Sequence, residues 1–252
     1  MENKNISRRS FVKKSAIGAG AVGMVSPFNQ SGEMQPVQKL PREVYIASFC
    51  SSGLRAESPS QMVDIVEGKI QTVFPLKPDI ICFPEIFPFF WTVNEKLTVP
   101  QQAEFSKSVI DRFLKLAKQN GSWMICPVVT EEAGKYYNAA VVIDRAGKYV
   151  GEYRKIHTTV EEMKDGISPG LSDPPVFDTD FGKIGIQICY DVRWDDGWNK
   201  LQEKGAEIIF WPSAFPGGQL LNSRALKHHA VIVSSTLKTL SKIVDIDGTD
   251  LT

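Results

Sequence analysis

Short apolar runs alternate along the chain with longer segments in which apolar side chains recur at helical spacing. Apolar positions follow three- and four-residue steps over residues 60–74 and 101–120, and this repeat predicts two amphipathic helices. Gly121 marks the end of the second one. A third helix is predicted over residues 220–229. The short apolar runs predict strands over residues 44–49, 79–84, 123–129, 207–211, 230–235 and 242–245.

Two β-hairpins are predicted where strand patterns flank a turn that contains glycine. The first joins residues 137–144 to residues 149–153, and Gly147 in its turn is free to adopt a positive φ. The second joins residues 176–178 to residues 183–189. Strands that are covered by helices and interspersed with hairpins predict an α/β fold, a layered sandwich built on a mixed sheet.

The first 40 residues have the pattern of an export signal. Residues 7–13 are Ser-Arg-Arg-Ser-Phe-Val-Lys, and a weakly apolar stretch follows over residues 16–25. This stretch is too short to span a membrane and too rich in glycine for a core helix, but it suits the apolar part of a signal peptide. The pattern resembles the twin-arginine signal, which implies export of the folded protein to the periplasm or beyond. We therefore expect residues 1–40 to be a signal peptide and linker, and residues 41–252 to form the folded domain.

The composition argues against several classes of function. The 252 residues are 42% hydrophobic and 23% charged, which is typical of a globular domain. The 29 Lys and Arg residues balance 29 Asp and Glu residues, so the chain has no basic field to attract nucleic acid or an anionic membrane. No apolar run in the sequence approaches the roughly 20 residues that a membrane-spanning helix needs. We expect no nucleic-acid partner, and no membrane partner after export.

Three predicted strands end in side chains that can act together chemically. Glu85 and Lys155 each follow a strand pattern, and Cys189 ends a third one. Strand ends that meet at one edge of a sheet commonly form a site. A carboxylate can take the thiol proton, while an ammonium favours the thiolate and stabilises charge in a tetrahedral intermediate. The pattern therefore predicts acyl transfer, although each side chain taken singly also fits a structural role.

The residues around these three side chains add specificity. They form the runs Phe-Pro-Glu at residues 83–85, Tyr-Arg-Lys-Ile-His at residues 153–157 and Cys-Tyr-Asp-Val-Arg-Trp at residues 189–194. Together the runs resemble the carbon–nitrogen hydrolase family, also called the nitrilase superfamily, and the resemblance extends from residue 44 to residue 251. It implies an α/β fold of four layers, an α-β-β-α sandwich.

The resemblance also implies an activity and an assembly. The implied reaction is hydrolysis of a non-peptide C–N bond in a small amide, N-carbamoyl compound or nitrile, through a thioester-type intermediate. The implied enzyme uses neither a metal nor an organic cofactor. Its subunits are expected to pair into a homodimer or a higher homo-oligomer.

By the same resemblance, individual residues acquire expected roles. Glu85 corresponds to the general base, Lys155 to the group that stabilises the tetrahedral intermediate, and Cys189 to the nucleophile. The family carries a second catalytic glutamate, for which Glu161 and Glu162 are both available. We choose Glu162, because its position seven residues after Lys155 best resembles the spacing in the nitrilase and amidase branches of the family.

Two residues after the nucleophile are expected to support it. Tyr190 is expected to lend its backbone N–H to an oxyanion hole. Arg193 is expected to anchor the turn through a buried ion pair, with Asp191 as its nearest acidic neighbour. Relatives usually continue through another strand and a tail after the segment that corresponds to residues 247–248, so the chain is expected to be a short form or a truncated one.

Two other interpretations remain open at the level of sequence. Cys189 could act with a histidine, as in cysteine peptidases, and the candidates are His157, His228 and His229. Alternatively, the chain could be an exported small-molecule-binding protein that retains the fold with little turnover. The identity of the C–N compound does not follow from the sequence.

Overall fold

The computed structural model of the protein describes residues 43–238 and 240–251. The expected signal peptide and linker lie outside the described residues. The described strands are β1 (Ile46–Ser48), β2 (Ile80–Cys82), β3 (Trp123–Glu132), β4 (Lys135–Ile143), β5 (Tyr149–Arg154), β6 (Val176–Thr179), β7 (Gly182–Ile186), β8 (Ile208–Ser213), β9 (Val231–Thr236) and β10 (Ile243–Val244). The described α-helices are α1 (Pro59–Gln71), α2 (Val99–Asn120), α3 (Val160–Lys164), α4 (Asp196–Glu203) and α5 (Gln219–His228).

The strands form two five-stranded sheets with the same plan. The order is β1-β2-β3-β4-β5 in the first sheet and β10-β9-β8-β7-β6 in the second. β1, β2 and β3 are parallel, as are β7, β8 and β9, and the remaining neighbours are antiparallel. Each parallel crossover contains one of the helices α1, α2, α4 and α5, because parallel neighbours cannot be joined by a tight turn.

Apolar side chains fill the spaces between four layers of secondary structure. Successive residues of a strand point to opposite faces of its sheet. In β2, Ile80 and Cys82 therefore pack between the two sheets, while Ile81 packs with α1 and α2. In β8, Phe210 lies between the sheets and Ile209 packs with α4 and α5. The predicted four-layer α-β-β-α sandwich is confirmed.

The three predicted helices are present with shifted ends. Helix α1 begins at Pro59 because the Ser58 side chain accepts a hydrogen bond from the Gln61 N–H and caps the first turn. It ends at Gln71, and a short 3₁₀ helix, Phe74–Leu76, follows it. None of the helices within residues 43–238 and 240–251 is both long and apolar enough to cross a bilayer.

Helices α3 and α4 were not predicted from the pattern. Both are short and mainly polar, so the sequence offers few apolar positions from which to recognise a helical repeat. The strand expected over residues 183–189 also ends early, at Ile186. The chain then turns into a 3₁₀ helix, Cys189–Arg193, which places the thiol in a turn after the sheet.

Gly147 lets the β4–β5 hairpin lie directly against α2. Its φ of 73° is in the left-handed region, and a Cβ there would stand 2.3 Å from the backbone oxygen of Leu114 in α2. Only glycine avoids both the strain and the clash. The predicted hairpin is confirmed, and its turn also sets the spacing to the helix layer.

The three cysteines other than Cys189 have the surroundings of structural thiols. Cys82 and Cys126 are buried and Cys50 is half-buried, and none of the three forms a disulfide. Burial raises the pKa of the Cys82 thiol to about 12. It also raises the pKa of Cys126. Both thiols therefore stay protonated and unreactive at neutral pH.

Candidate active site

The ends of β2 and β5 bring two opposite charges together in the interior. Glu85 follows β2 and Lys155 follows β5, and the Lys155 Nζ lies 2.8 Å from Glu85 Oε1. Only 3% of Glu85 and 2% of Lys155 is exposed. A buried ion pair of this kind persists only when its remaining hydrogen-bonding groups are satisfied. The neighbouring side chains show how that condition is met.

Glu162 supplies a second carboxylate to the same ammonium. Its Oε1 and Oε2 lie 3.0 and 2.8 Å from the Lys155 Nζ. The first turn of α3 holds it in place, because the Thr159 N–H donates to Glu162 Oε2 and the Thr159 side chain accepts from the Glu162 N–H. Glu161 is exposed. Of the two neighbouring glutamates, Glu162 is therefore the one that joins the cluster.

The charges in this cluster stabilise each other's ionised forms. Burial by itself would lower the pKa of Lys155, but the adjacent Glu85 and Glu162 outweigh it and hold the pKa above the ordinary lysine value. Burial would likewise raise the pKa of Glu162, yet Lys155 and the hydrogen bonds to the carboxylate hold it below the ordinary value. The ammonium therefore remains charged at neutral pH.

Asn138 connects the two carboxylates, and the sequence analysis did not select it. It lies in β4 with 1% of its surface exposed. Its Nδ2 donates to Glu85 Oε1 at 2.8 Å and to Glu162 Oε1 at 2.7 Å, and its backbone oxygen accepts from the Lys155 N–H at 2.8 Å. One signal was available: Asn138 is the polar residue at the start of an apolar run in a buried strand. A buried amide there requires partners.

Cys189 occupies a strained turn beside the cluster. Its φ is 48°, a region that residues other than glycine seldom adopt and that is often found at functional sites. The carbonyl of Cys189 accepts a hydrogen bond from the Trp211 indole at 3.0 Å, and only 8% of the residue is exposed. The first hydrogen bond that closes this turn is donated by the Asp191 N–H. The backbone N–H of Tyr190 comes one residue before that of Asp191 in this turn, directly after Cys189.

The thiol of Cys189 is neutral until a base acts on it. Burial raises its pKa, the nearby Glu85 carboxylate raises it further, and Lys155 opposes both effects only in part. The Glu85 carboxylate and the Ala214 N–H both act on the pKa of this thiol, the carboxylate raising it and the N–H lowering it. The Ala214 N–H also donates to Glu85 Oε2 at 2.8 Å. The thiol therefore has a carboxylate beside it that can take its proton.

Asp191 joins the turn that carries Cys189 to the end of β5. Its Oδ2 accepts from the Tyr153 hydroxyl at 2.7 Å and from the Ile188 N–H at 2.9 Å. Its Oδ1 accepts from the His157 N–H at 2.8 Å and lies 2.9 Å from His157 Nδ1. These partners come from both strands that lead into the site. Asp191 thus sets the position of the nucleophile relative to Lys155.

The expected buried ion pair of Arg193 is wrong. Arg193 is exposed, and its guanidinium lies 5.8 Å from the centre of the Tyr190 ring. Asp191 is fully buried and is occupied by four other donors, which leaves no place for a guanidinium. Sequence proximity suggested the pair, but a 3₁₀ turn points side chains two residues apart in different directions.

The histidines are engaged away from the thiol. His157 contacts Asp191 through Nδ1, and its ring stacks on Trp194 with centroids 4.4 Å apart. His228 lies on α5, with Nδ1 3.3 Å from Gln202 Oε1, and His229 is exposed at the end of that helix. Within the described ranges, no group of three or more His, Cys, Asp or Glu side chains is arranged to hold a metal ion. The charged side chains whose effect raises or lowers the pKa of the thiol are Glu85 and Lys155.

Comparisons with protein sequences identify similar chains. The sequence profile of the family described as carbon-nitrogen hydrolase matches residues 45–237. The deaminated glutathione amidase of Synechocystis is 30% identical over 177 residues, which are 62% of this chain and 64% of that protein. The protein of the same name from Dictyostelium discoideum is 28% identical over 217 residues, 77% of this chain and 73% of that protein. The chain thus spans less than two thirds of the Synechocystis relative.

Comparisons with solved structures identify the same fold. An amidase from Nesterenkonia sp. AN1 superimposes with a TM-score of 0.73 at 19% identity, covering 83% of this chain and 88% of that chain. That structure shows the result of Michael addition of acrylamide at the active-site cysteine. A carbon-nitrogen hydrolase from Helicobacter pylori G27 has a TM-score of 0.72 at 18% identity, covering 82% of this chain and 84% of that chain. At such identities the likeness establishes the fold.

Proposed function

Because this chain belongs to the carbon–nitrogen hydrolase family, we propose that it hydrolyses a non-peptide C–N bond of a small molecule through an acyl intermediate on Cys189. The observation that carries the proposal is the buried ammonium of Lys155, held between Glu85 and Glu162 beside a protonated thiol. A neutral thiol next to a carboxylate is the starting state for attack assisted by a general base.

In the first half of the reaction, Cys189 Sγ attacks the carbonyl carbon while Glu85 takes the thiol proton. The new C–S bond leaves negative charge on the substrate oxygen, which the Lys155 ammonium and the Tyr190 N–H stabilise. The C–N bond then breaks, and the proton on Glu85 passes to the leaving nitrogen. Ammonia or an amine departs, and the acyl group remains on Cys189.

In the second half, water attacks the carbonyl carbon of the thioester. Glu85 takes a proton from this water as the C–O bond forms. The C–S bond breaks when the tetrahedral intermediate collapses, and the proton returns from Glu85 to Sγ. The products are a carboxylic acid and the free enzyme, so the cycle needs only water as a second substrate.

Small amides are the substrates we favour among amides, N-carbamoyl compounds and nitriles. The curated relatives with the matches described above are named as amidases, and so is the Nesterenkonia structure. These names support an amide as the type of bond that this chain cleaves.

The test is ammonia release by the full chain from a panel of short amides, N-carbamoyl compounds and nitriles. Wild-type protein is expected to release ammonia from at least one amide. The Cys189→Ala variant is expected to lose the activity by a factor of about 10³ or more, because no nucleophile remains. Retained release in Cys189→Ala contradicts the assignment. No release by the wild type, together with slow alkylation of Cys189, favours a small-molecule-binding protein instead.

We also propose that the protein is exported by the twin-arginine route and works as a homo-oligomer. The support for export is the Ser-Arg-Arg-Ser-Phe-Val-Lys run at residues 7–13. The support for assembly is the family resemblance alone. Export is tested below, and the oligomeric state is accessible to light scattering at several protein concentrations.

A further inference from the structure

We infer that Asn138 is a positioning residue that keeps Oε1 of Glu85 as a hydrogen-bond acceptor, so that the proton taken from Cys189 travels only on Oε2. The inference rests on the proposed function, because it assigns atoms within the same reaction. Three features carry it: the donors at Oε1, the position of Oε2, and the amide of Asn138 itself.

Every group that contacts Oε1 of Glu85 among the described residues is a donor. The Asn138 Nδ2 lies 2.8 Å away and the Lys155 Nζ lies 2.8 Å away. An amide NH₂ has two hydrogens and no acceptor site, and an ammonium has three hydrogens. A proton on Oε1 would therefore point at another hydrogen. Protonation of this oxygen requires that at least one of these bonds be broken.

Oε2 of Glu85 shares a donor with the thiol. It accepts a hydrogen bond from the Ala214 N–H at 2.8 Å, and this same N–H acts to lower the pKa of the Cys189 thiol. A carboxylate oxygen has two lone pairs, so one remains for a proton. Oε2 can thus receive the proton from Sγ and later deliver it to the leaving nitrogen without any rearrangement of Oε1.

The orientation of the Asn138 amide follows from its partners. The two hydrogens of Nδ2 point to Glu85 Oε1 and Glu162 Oε1, at 2.8 and 2.7 Å. The opposite orientation would set Oδ1 against two carboxylates. In the orientation present, Oδ1 is buried and has no donor among the described residues. An unsatisfied buried acceptor disfavours folding. The amide is therefore oriented for its hydrogen bonds to the two carboxylates, although this orientation lowers the stability of the fold.

Removal of the Asn138 amide would make the two oxygens of Glu85 more alike as sites for a proton. Oε1 would keep Lys155 as its only donor in the described structure, and a proton could then reside there. A proton on Oε1 cannot reach the leaving nitrogen, so the acyl-enzyme forms less often. Glu162 would also hold a proton more tightly in the variant, because the Asn138 amide contributes to the lowered pKa of Glu162.

The experiment compares Asn138→Ala, Asn138→Ser and Asn138→Asp in the full chain. Serine retains one donor hydrogen, alanine has none, and aspartate has the shape of asparagine without the donor. Asn120→Asp is the matched control, because Asn120 lies at the end of α2 and its side chain bonds only to the Leu116 carbonyl among described partners. Two readouts are taken against pH: kcat/KM for ammonia release and the rate of Cys189 alkylation by iodoacetamide.

We expect Asn138→Ala to lower kcat about 10- to 100-fold, a part of the ~10²–10⁴-fold that general acid–base catalysis contributes. KM stays close to its wild-type value. The acidic limb of both pH profiles moves to higher pH by about one unit. Asn138→Asp moves the acidic limb at least as far as Asn138→Ala does, and Asn138→Ser moves it less far. Asn120→Asp leaves the acidic limb at its wild-type position.

The results separate failure of this inference from failure of the proposed function. If wild-type protein turns over substrate and neither pH profile moves in Asn138→Ala or Asn138→Asp, the inference is overturned and the function stands. A fall in kcat that matches a fall in alkylatable Cys189, with unchanged profiles, also overturns it, because that result reflects misfolding. If the wild type releases no ammonia but the alkylation profile still moves, the inference stands without the proposed activity.

Discussion

Lys155 is a buried ammonium whose two carboxylate partners are in different positions relative to the thiol. Glu85 contacts Lys155 through Oε1 and is close enough to Cys189 to raise the pKa of its thiol. Glu162 uses both of its oxygens on Lys155 and is further held by Thr159. In the proposed mechanism the first carboxylate therefore exchanges a proton with Cys189, whereas the second stabilises the position and charge of the ammonium.

This difference predicts unequal effects of removing each charge. Glu85→Gln is expected to lower kcat/KM by about 10²–10⁴-fold, because the general base is lost. Glu162→Gln is expected to lower it by about 10- to 100-fold, in the range seen when a supporting partner of an active-site group is removed. Glu161→Gln is the matched control and is expected to keep wild-type activity. Steady-state ammonia release measures all three.

The result would count against our assignment of the acid residues if Glu161→Gln lost more activity than Glu162→Gln. It would count against the role of Glu85 if Glu85→Gln retained activity near the wild-type level. Circular dichroism of each variant establishes that the comparison is between folded proteins.

At the scale of elements, α4 and α5 cover the outer face of the second sheet, and a buried histidine lies where they meet. His228 on α5 stacks on Trp198 of α4, with ring centroids 6.0 Å apart, and its Nε2 has no hydrogen-bond partner among the described residues. Burial lowers the pKa of His228 to about 4, and Arg224 and Lys227 add to this effect. The helix contact is therefore compatible with the neutral imidazole only.

The lowered pKa predicts that acid weakens this contact. Between the ordinary histidine pKa of about 6.5 and the folded value of about 4, the unfolded chain binds a proton that the folded chain does not. The free energy of unfolding therefore falls as the pH falls through this window. His228→Gln lacks this titrating group. Between pH 7 and pH 4 its free energy of unfolding is therefore expected to fall by about 1–3 kcal/mol less than that of wild type.

Urea unfolding at several pH values measures the difference. His229→Gln is the control, because His229 is exposed on the same helix end. If wild type and His228→Gln lose stability in parallel over this window, the helix contact does not depend on a neutral His228.

At the scale of the whole molecule, the site is shared between the two sheets. The first sheet supplies Glu85, Asn138 and Lys155 from the ends or interior of β2, β4 and β5. The second supplies Cys189 after β7 and the Ala214 N–H after β8. Neither sheet holds Cys189 together with Glu85, so the proposed chemistry depends on the packing of one sheet against the other. Thiol reactivity at Cys189 therefore also reports on that packing.

Export concerns the chain as a whole and is tested through its first residues. Replacing Arg8 and Arg9 together by lysine preserves charge but removes the arginine pair on which the export proposal rests. We expect wild-type protein in the periplasmic fraction of a bacterial host that has the twin-arginine system, and the double variant in the cytoplasmic fraction. Equal amounts of both proteins in the periplasm would refute the export proposal.

Much of the fold and the centre of the site follow from local patterns in the sequence. The helical repeats, the apolar runs and the turn at Gly147 depend on neighbouring residues only, and the corresponding elements are present. Glu85, Lys155 and Cys189 stand at strand ends, where side chains of separate strands meet, and their flanking residues resemble one family. Glu162 is within reach of Lys155 because the six residues between them form a short loop and the start of α3.

The remaining features depend on contacts between distant parts of the chain. Asn138 and Glu85 are 53 positions apart, and no local pattern reveals that the amide will meet that carboxylate. Asp191 contacts Tyr153 and His157 instead of the nearby Arg193, because the packing of the two sheets places those donors against its carboxylate. Sequence alone determined which chemical groups are available and which strands carry them. Tertiary packing decided which of their atoms donate, accept or hold a proton, because hydrogen bonds depend on distances that only the folded chain defines.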